Sequence, residues 1–148
     1  METPLPADFK EFLRLLNSKG VRYLLVGGYA VAVHGYLRST GDMDIWVDTA
    51  PQNAAKVAAA VKEFGFVTPE LTAGLFEEQN RVIRMGVPPL RLEILTTLSG
   101  VDFEDCYQAR MTIDVEGIPV PLLSLEHLKR NKRAAGRLKD LADLEQLP

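Results

Sequence analysis

The sequence predicts a single α+β (mixed α/β) domain in which a small mixed β-sheet is flanked by helices. Two observations carry that expectation. The chain has 148 residues, 47% of them hydrophobic, which is enough for one domain with a sizeable core. Along it, helical segments alternate with short apolar strands in the order helix, strand, helix, strand, helix, paired strands, helices. The repeated strand–helix–strand unit of a doubly wound sheet is missing from that order. One domain is expected over residues 1–148, closing with C-terminal helices from about 124 to 147.

Each element has a local reason. In ADFKEFLRLLNSKG, Phe9, Phe12, Leu13 and Leu16 recur at helical spacing, and Gly20 supplies the stop. VRYLLVGG reads as a buried strand running into a glycine turn, and the Ala-rich YAVAVHG that follows fits two turns of buried helix. DMDIWVD is a strand. PQNAAKVAAAVKEFGF is a helix with Pro51 in its first turn and Gly65 at its end. NRVIRMGV and LRLEILTT are two strands, with Gly86-Val87-Pro88-Pro89 as their hairpin connection. VDFEDCYQAR is a short helix or turn. MTIDVEGIPVPLL folds into two short strands about Glu116-Gly117, and Pro119 and Pro121, which lack N–H donors, predict that the second is an edge. From Ser124, a plausible N-cap, one helix runs to a break at Gly136 and a second completes the chain.

Composition excludes several classes. The net charge of −3 argues against a broadly basic nucleic-acid surface. The single cysteine, Cys106, rules out an intramolecular disulfide and a cysteine-rich zinc site, and it reads as a small packed residue. METPLPADFK is acidic and lacks the apolar segment of a signal peptide, and no run approaches the ~18 apolar residues of a membrane span. A cytoplasmic location with no membrane partner is therefore the default expectation.

The chemistry concentrates in a few carboxylates. Strand side chains alternate faces, so Asp42 and Asp44 share one face with Trp46, while Met43, Ile45 and Val47 take the other. Two carboxylates so close repel unless a cation compensates, and Mg²⁺ (or Mn²⁺ in its place) suits oxygen ligands and phosphate substrates. Alone, the pair also fits a solvated strand end. Glu93 adds a third acid within the apolar strand LRLEILTT, where it can join Asp42 and Asp44 or form an ion pair with Arg91 or Arg84. Gly27-Gly28, between a strand and a helix, can present backbone N–H groups to an anion, or be no more than a tight turn. Lys129, Arg130, Lys132, Arg133, Arg137 and Lys139 form the one dense basic run of an acidic chain. Within it Lys132 and Arg137, then Lys139, are candidates for the phosphates of a nucleotide, or members of a solvated helix face. His34 reads as a hydrogen-bonding residue at a helix end, and Trp46 as packing.

The pattern Gly-Gly, helix, His-Gly, Arg, Thr, Asp-x-Asp in VGGYAVAVHGYLRSTGDMDI resembles the nucleotidyltransferase superfamily, whose core is shared with DNA polymerase beta. LRLEIL matches the third acidic strand, and KRNKRAAGRLKDLADLEQL is similar to the C-terminal segment of compact bacterial members, some of them toxins of abortive-infection (AbiEii-type) toxin–antitoxin systems. The resemblance implies a nucleotidyltransferase-like fold with a roughly five-stranded mixed sheet, and Mg²⁺ held by Asp42, Asp44 and Glu93. It also implies transfer of a nucleoside monophosphate from an NTP to an acceptor hydroxyl on RNA, protein or a small molecule, with Glu93 able to take the proton. Gly27, Gly28, Arg38, Lys132, Arg137 and Lys139 would bind nucleotide, and an antitoxin partner is implied for a toxin. The sequence departs from the superfamily at Gly28, where a serine is usual, and at Glu93, where Asp is more usual. Those departures motivate an alternative, an inactive NTP-binding or regulatory module of the same fold.

Overall fold

A computed structural model of the chain describes residues 6–35, 41–87 and 90–148. The expectations for Arg38, for Pro88-Pro89 and for residues 1–5 fall outside the described residues. The helices are α1 (Ala7–Ser18), α2 (Gly27–His34), α3 (Pro51–Phe64), α4 (Phe103–Gln108), α5 (Leu125–Ala135) and α6 (Leu138–Gln146). The strands are β1 (Tyr23–Val26), β2 (Asp42–Val47), β3 (Val82–Val87), β4 (Leu90–Leu95), β5 (Met111–Val115) and β6 (Ile118–Leu122). A 3₁₀ turn, Ala73–Glu77, lies before β3.

Among the described residues the strands form one six-stranded mixed sheet in the order β3-β4-β2-β1-β6-β5, one strand more than the resemblance implies. β2 runs antiparallel to β1 and parallel to β4, and β3 and β4 form an antiparallel pair. The alternation read from the sequence is realised: Met43, Ile45, Leu92, Ile94, Ile83 and Met85 are buried. They share one cluster with Phe12, Leu13 and Leu16 of α1 and Ala54, Val57, Ala60 and Val61 of α3. Trp46 is buried edge-to-face on Phe103 at 5.0 Å, a packing role. Cys106 is buried too, and burial is the first cause that pushes its thiol up to about 11, as suits an inert packed residue. No helix of the described residues is long and apolar enough to cross a membrane.

One sequence expectation fails. β6 is not an edge strand: it lies between β1 and β5, and β5 takes the edge. The Leu123 N–H donates to the Leu25 carbonyl at 3.2 Å, so the odd-numbered positions of β6 face β1. Pro119 and Pro121 therefore turn their missing donors towards β1, where the parallel pairing is confined to Leu25↔Leu122. The Pro119 carbonyl accepts instead from the Asn17 side chain at 2.8 Å, while Ile118, Val120 and Leu122 complete an unbroken ladder with β5.

The C-terminal helices form as expected. Ser124 caps α5 by accepting from the His127 N–H. Gly136 stops α5 at φ 65, a left-handed conformation that glycine adopts without a Cβ clash. His34 bonds the Leu123 carbonyl through Nε2 at 2.7 Å, and because a carbonyl only accepts, Nε2 carries the proton.

Candidate active site

Gly27 opens α2 at φ +67, and a Cβ there would lie 2.0 Å from Asp44 Oδ2. The glycine therefore serves two ends. It takes a backbone conformation that other residues resist, and it leaves room for a carboxylate directly against the start of a helix. Gly27 and Gly28 both line a cleft of about 440 Å³ between the sheet and the C-terminal helices.

Strand register assembles the rest. Asp44 lies opposite Glu93 in the parallel β2–β4 pair, and Glu93 lies opposite Arg84 in the antiparallel β3–β4 pair. Directly paired residues share a face, so Arg84, Glu93 and Asp44 form one row across three strands. One step along, Asp42 lies opposite Arg91. Arg84 Nε donates to Glu93 Oε1 at 2.7 Å, and Arg91 Nη2 donates to Asp42 Oδ2 at 3.1 Å. Among the described residues Asp44 has no such arginine on it. Its Oδ1 is buried without a hydrogen-bond partner, and its pKa is pushed up to about 7. Burial is the largest cause, followed by hydrogen bonding to Glu93 and the negative charges of Glu93 and Asp42, with Lys139 working the other way.

This donor set suits a hard divalent cation: oxygen ligands, like charges in need of neutralisation, and an orphaned buried carboxylate oxygen. The three acids are not gathered into a ligand set, however. Among the described residues no three His, Cys, Asp or Glu side chains are arranged to hold a metal ion, because Asp42 and Glu93 are turned onto their arginines.

The basic candidates divide. Lys139 and Arg137 line the cleft and are exposed. Lys132 also lines it, but its ammonium is buried and bridges Asp140 at 3.1 Å and Asp143 at 3.0 Å. Two buried carboxylates thus share its charge, a structural role beside the cleft it lines. Arg137 grips Asp140 through Nε at 2.6 Å and Nη2 at 3.2 Å. Burial works to raise the Asp140 pKa, yet the hydrogen bonds and charges of Arg137 and Lys132 hold it below the usual value.

Sequence reasoning missed the far wall of the cleft, made by Val82, Leu95, Thr97, Leu98 and Ser99. Asn131 fastens α5 to it by donating to the Ser99 carbonyl at 3.0 Å. The sequence presents Arg84 and Arg91 only as alternative partners of Glu93. Arg91, two residues from Glu93 on one strand face, was legible as a neighbour. Its choice of Asp42 was not, because that depends on the β2–β4 register.

Solved structures share the fold at low sequence identity. A candidate nucleotidyltransferase from Thermotoga maritima matches with a TM-score of 0.62 and 17% identity, over 93% of this chain and 88% of that one. The lincosamide antibiotic adenylyltransferase LnuA, solved with lincomycin bound, matches with a TM-score of 0.61 and 16% identity over 98% and 97%. An antigenic nucleotidyltransferase-like protein from Paracoccidioides brasiliensis matches with a TM-score of 0.54 and 19% identity over 97% and 77%. No curated protein matches in sequence. These matches show the fold that was expected from the sequence. The family model described as aminoglycoside-2''-adenylyltransferase matches residues 8–147, and the chain belongs to that family of nucleotidyltransferases.

Proposed function

We propose that the protein transfers AMP from ATP to a hydroxyl group of a small molecule, with Mg²⁺ or Mn²⁺ as cofactor. The observation that carries this reading is the row Arg84–Glu93–Asp44, with Asp42 one step along, beside Gly27-Gly28. Across the sheet the order runs from the glycine turn at the end of β1, through the aspartates of β2, to Glu93 on β4 and the β3 edge. In-line displacement at phosphorus needs the leaving group and the nucleophile on opposite sides. The triphosphate accordingly lies at Gly27-Gly28, with Lys139 and Arg137 as cationic contacts, and the acceptor approaches from the Glu93 side. Glu93 takes the proton of the acceptor hydroxyl, that oxygen bonds to the α-phosphorus, and the bond to pyrophosphate breaks. Asp42, Asp44 and Glu93 would hold the divalent cation, which when bound lowers the pKa of the hydroxyl and neutralises charge on the phosphates.

Family membership and the lincomycin-bound relative favour a small acceptor over RNA or protein, and a cleft of about 440 Å³ is of small-molecule size. The apolar wall of Val82, Leu95 and Leu98 suits an acceptor with an apolar face beside its hydroxyls. Incubation with α-³²P-ATP, Mg²⁺ and a panel of aminoglycosides and lincosamides should give labelled antibiotic and pyrophosphate, and Asp44→Ala should abolish both. Absence of ATP binding in calorimetry would overturn the reading. The second reading, an inactive nucleotide-binding module, is favoured by Gly28 standing where the superfamily carries a serine. It requires ATP binding with no labelled product from any acceptor. An antitoxin partner would belong to a toxin role, which co-purification with the product of a neighbouring gene would test.

A further inference from the structure

Of the three carboxylates that the sheet contributes to the cleft, two already have a cation. Arg91 sits on Asp42 at 3.1 Å and Arg84 on Glu93 at 2.7 Å, and both arginines come from the strands that carry or flank the acids. Arg84 is not locked in place. The Arg84 side chain is 59% exposed, lines the cleft and commits its Nε to Glu93. Arg91 leaves its Nε buried without a hydrogen-bond partner. A pair with so exposed a member is held weakly in water, so release of Arg84 costs little. Counting formal charge among the described residues, three acids against two paired arginines leave at most one negative charge, offset in part by Lys139, too little to draw a free divalent cation out of water.

We propose that Arg84 and Arg91 are resident counter-cations that keep a free divalent cation out of the carboxylate cluster until a nucleoside triphosphate arrives. The inference rests on the nucleotidyltransferase reading above and adds a regulation to it. A triphosphate at Gly27-Gly28 brings several negative charges into the same cleft. It gives the guanidinium forks a new anionic partner, since Arg binds phosphate as readily as carboxylate. Asp42 and Glu93 are then freed from their arginines, beside Asp44, which already meets Glu93 and whose Oδ1 stands unpartnered. Metal and nucleotide thus bind with positive coupling, and the metal does not settle in the empty cleft where it would hold the acids in an unproductive arrangement. Arg84 and Arg91 are positioning residues in this scheme, because they act through the carboxylates.

The test reads metal binding rather than turnover. Mn²⁺ is titrated into the full-length protein without nucleotide and followed by the loss of its free electron paramagnetic resonance signal, for wild type, Arg84→Gln, Arg91→Gln and Arg84→Lys. Wild type should bind weakly, and each glutamine variant should bind at least tenfold more tightly. Arg84→Lys keeps the charge and should stay near wild type. Glutamine variants no tighter than wild type would overturn the proposal. So would a lysine variant as tight as Arg84→Gln, because loosened packing rather than charge would then be the cause. A parallel titration with α,β-methylene-ATP and Mg²⁺ separates the two levels. If the analogue does not bind, the nucleotidyltransferase reading fails and this coupling falls with it. If it binds while the Mn²⁺ affinities stay level, the coupling alone fails.

Discussion

At the scale of the residue, the site turns on one aspartate held against one glycine. Asp44 is the carboxylate that, among the described residues, has no arginine paired to it, and burial with its acidic neighbours raises its pKa from 3.8 to about 7. The sign of the consequence follows from linkage. Between pH 4 and 7 the folded protein keeps a proton that the unfolded chain has released, so stability is highest below the unfolded value and falls as pH rises through the folded one. Urea denaturation in EDTA at pH 5, 6, 7 and 8 should therefore show a decline on the order of a few kcal/mol that levels off above pH 7. Asp44→Asn cannot ionise and should flatten that decline while raising stability at pH 8. A wild-type profile that is flat or rises across this window would show that Asp44 is not strained by its neighbours.

At the scale of the element, the helices were legible because their signals are local, while the sheet edge was not. Phe9, Phe12, Leu13 and Leu16 announced α1 by spacing, Ser124 announced the cap of α5, and Gly136 the break before α6. The prolines of β6 misled, since a missing donor marks an edge only when nothing else lies on that side. Which strand lies there is set by a pairing between residues far apart in the chain. The same limit explains the basic run. Its charge was plain, but which of its members turns inward depends on α6 folding back on α5. The staple formed there is Lys132 between Asp140 and Asp143, all three buried. Removing the cation takes the ammonium from two buried carboxylates, although Asp140 keeps Arg137, so Lys132→Met should cost about 3 kcal/mol, the low end for breaking a buried ion pair. Adding Asp140→Asn and Asp143→Asn should recover much of that loss in chemical denaturation. A Lys132→Met variant as stable as wild type would mean that the ammonium is free for ligand after all.

At the scale of the molecule, the cleft draws on distant parts of the chain: Gly27 and Asp44 from its first third, Glu93 from its middle, Arg137 and Lys139 from the cap and first turn of α6. The carboxylates could be anticipated as a group because Asp42, Asp44 and Glu93 each carried a strand-face signature, whereas the arginine partners and the apolar wall depended on register and on where α5 lands. A ligand that spans the cleft joins parts that touch only locally in its absence, and anything that binds the folded state alone stabilises it by mass action. With α,β-methylene-ATP and Mg²⁺ at a hundred times the dissociation constant, the gain is about 2.7 kcal/mol, or a rise in Tm on the order of 5–10 °C for a chain of this size. Lys139 is exposed on α6, so Lys139→Ala should leave the ligand-free Tm nearly unchanged. At the same ligand concentration it should shrink the ligand-induced rise, because the triphosphate loses a cationic contact to α6. Thermal unfolding with and without ligand reads both quantities in one experiment. If Lys139→Ala keeps the full rise, the nucleotide engages the glycine turn and the carboxylates without reaching α6. The C-terminal helices would then contribute the wall of the cleft rather than a phosphate contact.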